Sequence, residues 1–246
     1  MRDGTQLVLS LFPGIGLLDM AFEQEGFCVV RGPDVLWGGD IRRFHPPAGR
    51  FDGVIGGPPC QCFSRLAAMV RHNGYEPKFG NLVPEYERCV ADTEPAWFVM
   101  EEVPDAPIPI VEGYGVWSCL LNNRQLGEAQ NRVRRWSFGM RGERKPLMIE
   151  TACFESMEYE CAAVGGSHGR PGCVSSSLEK EHYRKSSLPF NTKNINWFKE
   201  CKRRQGLPDD FDIQPFTVSA KCKAVGNGVP LAMGCAIAKA VREAIK

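Results

Sequence analysis

The hydrophobic pattern of the first thirty residues predicts a strand, a glycine turn, a helix and a second strand. An apolar run at residues 6–12 is followed by Pro13-Gly14-Ile15-Gly16, an amphipathic stretch and a second apolar run at residues 27–30. This order is typical of a βαβ unit, for which a right-handed parallel crossover is the default. Further apolar runs at residues 51–57 and 96–101 end in glycines and in an acid. The alternation predicts an open α/β sheet whose ligands gather at the carboxyl ends of the strands.

The same pattern divides the chain into three segments. Residues 1–145 carry the predicted strands and helices of a core, whereas the periodicity fades over residues 146–190, which are rich in glycine, proline and serine. Residues 191–246 return to order and contain an apolar-periodic helix from Leu231 to Ile245. We therefore expect one Rossmann-like α/β core, a small irregular lobe, and a carboxyl-terminal segment that completes the core.

Composition narrows the class of protein. The chain has 246 residues, 43% of them hydrophobic and 24% charged, which suits one domain with a small appendage. Its most apolar stretch, Leu7–Leu18, is interrupted by Pro13 and Gly14, so we expect no membrane-spanning segment. No secretory leader pattern is visible, and a cytoplasmic location is expected. The eleven cysteines form no paired framework and are interpreted as reduced thiols.

The charge distribution is uneven although the net charge is only +1. Basic residues are concentrated between Arg124 and Lys145 and again between Lys193 and Arg204. Each cluster is compatible with an ordinary solvated face, but two such clusters also suit a polyanionic partner.

The segment Gly56-Gly57-Pro58-Pro59-Cys60-Gln61-Cys62-Phe63-Ser64 is the most informative in the chain. Its glycines and prolines stiffen the end of a strand and hold Cys60 at the tip, which favours a nucleophile over a buried structural cysteine. Cys62 is the weaker candidate because of its position. Gly14 and Gly16 form a turn that suits a nucleotide-like ligand, but the third glycine of a dinucleotide fingerprint is missing.

Six segments in order resemble the motifs of the cytosine-5 DNA methyltransferases, in their prokaryotic or phage form. The resemblance covers nearly the whole chain, and a further segment, "RRQGLPDDF" at 203–211, resembles the one before the last motif. The six are "SLFPGIGLLDMAFEQEGF", "GDI" at 39–41, "GGPPCQCFS", "MEEV" at 100–103, "QNRVRR" at 130–135 and "VGNGVPLAMGCAIAKAV" at 225–241.

The resemblance implies transfer of a methyl group from S-adenosylmethionine to carbon 5 of cytosine, with S-adenosylhomocysteine as the product. A thiolate that adds to carbon 6 makes carbon 5 nucleophilic, and Cys60 is assigned this addition. Glu101 is assigned the neutralisation of charge at the ring nitrogen. Arg134 would contact the cytosine carbonyl oxygen, while Gln130 and Arg132 would steady the base, the backbone or the acid. These last three residues alternate, so on a strand they would share one face.

The resemblance also assigns a cofactor site on a Rossmann-like methyltransferase sheet. An acid for the ribose hydroxyls is expected just after the second strand, where this chain has Arg31, with Asp34 slightly later. Trp37 is assigned to stack on adenine, although a tryptophan in the core is equally consistent with the sequence. The full set is Phe12, Gly14, Gly16, Asp34, Trp37, Asp40, Ile41, Pro59 and Asn227.

Double-stranded DNA is the predicted substrate, and the target base has to be flipped out of the helix. The residues assigned to DNA are Gln61, Ser64, Arg65 and Gln130. We expect a monomer, with a cognate restriction nuclease acting separately and the small lobe reading the site. No metal is predicted: Cys153, Cys161, His168 and Cys173 lie in the lobe, but their spacing matches no zinc signature.

One departure from the family pattern follows the assigned acid. The family usually has asparagine there, and this chain has Glu102. Adjacent side chains of an extended chain point to opposite sides, so Glu102 need not enter the site, but two close carboxylates would raise at least one pKa.

A methyltransferase acting on RNA cytosine and a silent homologue that binds DNA or the cofactor are the alternatives. The loop "PPCQCFS" differs from the proline-cysteine-phenylalanine-threonine variant of the RNA-modifying branch.

Overall fold

The fold is built on a mixed sheet of six strands, seen in a computed structural model that describes residues 4–63, 80–153, 160–161 and 195–246. The strands are β1 Leu7–Leu11, β2 Cys28–Arg31, β3 Gly53–Gly56, β4 Trp97–Glu102, β5 Tyr114–Asn122 and β7 Val133–Arg141. Their order in the sheet is β2-β1-β3-β4-β7-β5. The first four strands in that order are parallel, β7 runs antiparallel to β4, and β5 pairs antiparallel with β7.

Five α-helices connect or cover this sheet in the described part of the chain. They are α1 Leu17–Gln24, α2 Val83–Thr93, α3 Ile195–Arg204, α4 Val218–Asn227 and α5 Leu231–Ala244. A second, two-stranded sheet pairs β6 Gln130–Asn131 in parallel with β8 Glu160–Cys161. Short 3-10 turns are found at Val35–Trp37, Ile41–Arg43, Cys60–Cys62 and Asn123–Leu126. The α/β class predicted from the hydrophobic alternation is confirmed.

Helices bury both faces of the sheet, because alternate residues of each strand point to opposite sides. On one face, Val99 of β4 packs in a cluster with Phe22 of α1 and Ile237 of α5. On the other face, Met100 packs with Tyr86 and Val90 of α2. The two layers place the carboxyl ends of β1, β3 and β4 side by side at one edge of the sheet.

Close approach between β4 and β7 depends on a glycine. Gly139 lies opposite Phe98 in the register, and a Cβ atom on Gly139 would be 2.1 Å from the phenylalanine ring. The ring occupies the space that a side chain would need, so the buried face of this strand pair is packed without a gap at this position.

The carboxyl-terminal helices form a third cluster and return to the core. Phe198 and Cys201 of α3 pack against Val225 of α4, while Ile237 of α5 is fully buried on the sheet. Residues 218–244 are long and apolar enough to cross a membrane by length and composition alone, a feature that the sequence analysis did not identify. The segment is divided into two helices by residues 228–230, and 56% of its most apolar window is buried, as in the core of a globular fold.

Candidate active site and cofactor cavity

A cavity of about 390 Å³ lies beyond the carboxyl ends of β1 and β2. Its wall combines apolar side chains with carboxylates, which is the usual composition of a small-molecule site. The lining residues are Phe12, Pro33, Asp34, Val35, Gly38, Gly39, Asp40, Ile41, Arg42, Pro59 and Leu82.

The turn between β1 and α1 is held in an unusual backbone conformation beside this cavity. Phe12 has a φ of 55°, in the left-handed region that a phenylalanine rarely adopts, and Gly14 has the same φ. The Asp34 carboxylate accepts the Gly14 backbone N–H at 2.9 Å and the Leu36 backbone N–H at 2.7 Å. The carboxylate therefore joins the glycine turn to the segment after β2, while the remaining lone pairs of its oxygens stay available to a ligand.

Five residues of the predicted cofactor set line the cavity, namely Phe12, Asp34, Asp40, Ile41 and Pro59. Gly14 and Gly16 lie in the adjoining turn, and Asn227 is exposed at the end of α4.

Trp37 differs from its prediction, because its indole does not belong to the cavity wall. Its Nε1–H donates to the Gly14 carbonyl oxygen at 2.7 Å, and its ring packs edge-to-face on Phe216 at 5.7 Å. Trp37 thus stabilises the glycine turn through the Gly14 carbonyl oxygen, on the side away from the cavity. This position does not support the prediction that Trp37 stacks on adenine.

Cys60 begins the 3-10 turn that follows β3 by three residues. Burial raises the pKa of its thiol, and the charges of Glu102 and Glu101 raise it further. Arg134 and Arg132 act in the opposite direction and lower it. The thiol is thus surrounded by two acids and two arginines, and the balance of these charges decides how readily the thiolate forms.

Glu101 and Arg134 form an ion pair at the carboxyl end of β4. The Arg134 Nε–H donates to Glu101 Oε1 at 2.8 Å, and both side chains are largely buried. The second carboxylate oxygen of Glu101 lies 3.0 Å from the position that a Cβ on Gly57 would occupy, so the glycine lets the loop of Cys60 approach the acid. The structure therefore brings Cys60, Glu101 and Arg134 together, as the sequence predicts.

Arg132 has a different role from the catalytic one predicted. Its side chain is buried, and its guanidinium donates to the carbonyl oxygens of Gly226 and Gly228, each at 2.9 Å. It lies between β6 and β7, so Gln130, Arg132 and Arg134 do not lie on one continuous strand. A cation at the last carbonyls of a helix complements the helix dipole, so Arg132 fixes the end of α4.

Gln130 was predicted to contact DNA, but the structure buries it. Only 2% of the residue is exposed, and its side-chain amide donates to the Arg204 carbonyl oxygen. The predicted contact is therefore wrong for this residue, which instead fastens β6 to the end of α3.

Several members of the two basic clusters are likewise engaged within the protein. The guanidinium groups of Arg135 and Arg144 donate to the carbonyl oxygens of Pro104 and Val116. In the second cluster, Arg203 and Arg204 both pair with Glu200. The carboxylate of Glu200 offsets part of the charge of the second cluster, whereas Arg135 and Arg144 keep their full charge.

The remaining predictions fall on parts that the structure leaves undescribed. Ser64, Arg65, His168 and Cys173 lie outside the described residues, as does most of the lobe predicted at 146–190, and the side chain of Gln61 is likewise outside the description. In the described ranges, no group of three or more His, Cys, Asp or Glu side chains is arranged to hold a metal.

Two features of the site were missed by the sequence analysis. Gln205 donates its side-chain amide to the carbonyl oxygens of Val225 and Gly228, beside the contacts of Arg132, and no sequence pattern signals this role. The second is Arg42, which lines the cavity directly after Asp40 and Ile41 and is detectable only by its proximity to them.

Comparisons with known proteins agree with this geometry. The family model for C-5 cytosine-specific DNA methylase matches residues 37–106. The type II methyltransferase M.FnuDI of Fusobacterium nucleatum is 26% identical over 97% of this chain and 94% of its own length. M.MthTI of Methanothermobacter thermautotrophicus is 24% identical over 96% of this chain and 97% of its own. The alignment with M.FnuDI runs over 330 positions, so that relative carries segments that this 246-residue chain lacks.

Solved structures show the same fold at lower identity. The Entamoeba histolytica methyltransferase EhMeth superposes with a TM-score of 0.65, at 12% identity, over 99% of this chain and all of that one. A putative DNA modification methyltransferase encoded within an Escherichia coli prophage gives a TM-score of 0.63 at 16% identity, covering 98% of this chain and 99% of that one. The family model over residues 37–106, the relatives aligned along nearly the whole chain and the ordered motifs all show that this chain is similar to the cytosine-5 DNA methyltransferases.

Proposed function

We propose that this chain is a DNA (cytosine-5-)-methyltransferase, which transfers a methyl group from S-adenosylmethionine to carbon 5 of cytosine through a covalent bond to Cys60. The observation that carries the proposal is the cluster of Cys60 with the Glu101–Arg134 ion pair, next to a cavity of cofactor size. Similarity to the cytosine-5 DNA methyltransferases supports the reaction.

The cavity residues fit S-adenosylmethionine. Its volume of about 390 Å³ lies in the ordinary range for ligand sites. The carboxylates of Asp34 and Asp40 suit the ribose hydroxyls and the adenine amino group, while Phe12, Ile41 and Leu82 supply apolar contact for the adenine ring. When bound, the cofactor supplies the methyl group attached to a positively charged sulfur.

The chain's own residues account for activation of the base. The Cys60 thiolate adds to carbon 6 of cytosine, and the electron pair released from the ring double bond makes carbon 5 nucleophilic. Glu101 takes up a proton from solvent and passes it to the ring nitrogen, so no full negative charge accumulates on the base. Arg134 holds Glu101 in place and carries further donors for the cytosine carbonyl oxygen. After methylation a base from the solvent takes the carbon 5 proton, the ring double bond re-forms as the thiolate leaves, and the ring nitrogen returns its proton to Glu101.

The substrate is double-stranded DNA with its target base turned out of the helix, because stacked bases hide carbons 5 and 6. Gln61, Ser64 and Arg65, which follow Cys60 directly, are assigned to the DNA in this proposal. A cytoplasmic location, a monomeric state and a separate cognate restriction nuclease complete it.

The test is transfer of labelled methyl groups to unmethylated duplex DNA, with transfer RNA as a parallel substrate. We expect label in DNA cytosines, no label with Cys60→Ala, and unchanged transfer with Cys28→Ala, a matched change at an exposed cysteine. Label confined to RNA would contradict the assigned substrate, and cofactor binding without transfer to either nucleic acid would contradict the assigned activity.

A further inference from the structure

Glu102 is a buried carboxyl group that the mechanism above does not use. It is the last residue of β4 and only 1% exposed. Its Oε2 accepts the Val103 backbone N–H at 2.8 Å, whereas Oε1 is buried with no hydrogen-bond partner among the described residues. Such an oxygen is expensive to leave unpaired, particularly when it carries a charge.

The nearest arginine in the register does not neutralise this group. Arg135 of β7 lies opposite Glu102, but its guanidinium donates to the Pro104 carbonyl oxygen at 2.6 Å and 3.1 Å. Arg134, from the same strand, makes its ion pair with Glu101. Glu102 is thus left in a buried position next to a second acid and without its own counter-charge.

A buried carboxyl in this environment favours its neutral form. Burial and, to a smaller extent, the charge of Glu101 raise the pKa of Glu102 to about 8, against the opposing effects of the Val103 N–H and Arg134. At neutral pH the side chain is therefore protonated, and it adds no negative charge to the cluster.

The charge of Glu102 bears directly on the nucleophile. Among the neighbours of Cys60, Glu102 is the larger of the two acidic influences that raise the pKa of the thiol, ahead of Glu101. Arg134 and Arg132 are the cationic neighbours that lower it. An ionised Glu102 would therefore hold Cys60 as the unreactive thiol, and a neutral Glu102 removes that obstacle.

We propose that Glu102 is a positioning residue that acts on the nucleophile through its charge. When Glu102 is neutral, the Cys60 thiolate can form; when Glu102 is ionised, its negative charge disfavours the thiolate. The proposal rests on the proposed function, in which Cys60 is the nucleophile. It makes thiolate formation rise less steeply with pH above about pH 8, through a residue that does not contact the reacting atoms.

The experiment measures alkylation of Cys60 by iodoacetamide as a function of pH, with each cysteine followed by peptide mass spectrometry. Near pH 7 we expect wild type and Glu102→Gln to react at the same rate. At about pH 9 we expect Glu102→Gln to react roughly 3- to 10-fold faster, which corresponds to half a unit to one unit of thiol pKa. Glu102→Asp, which keeps an ionisable group, should follow the wild-type profile.

Two other cysteines serve as controls within the same molecule. Cys28 is exposed and reports the intrinsic reactivity at each pH, while Cys89 is fully buried and stays unreacted as long as the variant is folded. Equal Cys60 rates for wild type and Glu102→Gln at every pH would overturn the proposal.

If Glu102→Gln does not fold, the pH dependence of Cys60 alkylation in the wild-type protein tests the proposal by itself. The proposal predicts a logarithmic rate that rises with a slope below one above about pH 8, because two coupled groups ionise there. A single ionisation of slope one would overturn it. Alkylation needs no methyl transfer, so a failed proposed function would appear separately, as Cys60→Ala protein that still methylates DNA.

Discussion

Replacement of Arg132 by methionine tests whether this arginine supports the fold instead of reacting with substrate. Methionine keeps much of the length and apolar surface of the side chain but removes every donor. In the native protein the guanidinium donates to Gly226 and Gly228 at 2.9 Å each, and burial lowers its pKa without removing the charge of an arginine.

The magnitude follows from these two contacts. A hydrogen bond from a charged donor contributes about 1.5–3 kcal/mol to stability, so the loss of two predicts a destabilisation of about 3–6 kcal/mol. Part of the loss arises because the carbonyl oxygens at the end of α4 are left without this donor, next to the amide of Gln205. The exposed Asn227 lies between the two carbonyls, so the affinity for S-adenosylmethionine should fall as well.

Urea unfolding of the variant without cofactor measures the first effect, and calorimetric titration with S-adenosylmethionine measures the second. Arg144→Met is the matched control, because Arg144 is exposed and makes one contact, to the Val116 carbonyl oxygen, so its loss should cost less than about 1 kcal/mol. A variant at Arg132 with wild-type stability and affinity but no methyl transfer would refute the reasoning and restore a direct catalytic role.

Three further predictions concern stability and cofactor binding. Because folding raises the pKa of Glu102 from 4.5 to about 8, the native state loses stability as pH rises through that window. In urea unfolding, Glu102→Gln should therefore be more stable than wild type by up to about 4 kcal/mol near pH 8 and by almost nothing near pH 4.5. A gain in stability that does not depend on pH would contradict this prediction. Gly139→Ala should destabilise the protein by about 1–3 kcal/mol through overpacking, whereas Gly80→Ala, with open space around it, should be nearly neutral in the same assay. Asp34→Ala should weaken S-adenosylmethionine binding by about tenfold or more, whereas the exposed Asp105→Ala should not, and equal affinities would remove Asp34 from the cofactor site.

The hydrophobic pattern was a good guide to the elements because apolar periodicity directly reflects which face is buried. It predicts the strand-turn-helix-strand start of the chain and a carboxyl-terminal helix from Leu231, which the structure ends at Ala244. Cys60 and Glu101 follow the same logic, since each lies at or beyond the end of a central parallel strand. A residue at the end of a strand can be identified from the local sequence of that strand alone.

The partners of buried polar groups could not be predicted in this way. Alternation placed Gln130, Arg132 and Arg134 on one face, yet each meets a different partner: the end of α3, the end of α4 and Glu101. Two of these partners lie more than seventy residues away in sequence. A pattern within one strand contains no information about which distant carbonyl will meet it, and the same holds for the internal contacts of the basic clusters.

Trapping of the enzyme on DNA that contains 5-fluorocytosine tests the central claim most directly. After methylation, carbon 5 of this base carries fluorine instead of the proton that must leave, so the thiolate remains bound to carbon 6. We predict a stable adduct that forms only with S-adenosylmethionine, maps to the peptide containing Cys60 and is absent from Cys60→Ala. An adduct mapped to Cys62, or methylation of ordinary DNA without any trapped complex, would contradict the account.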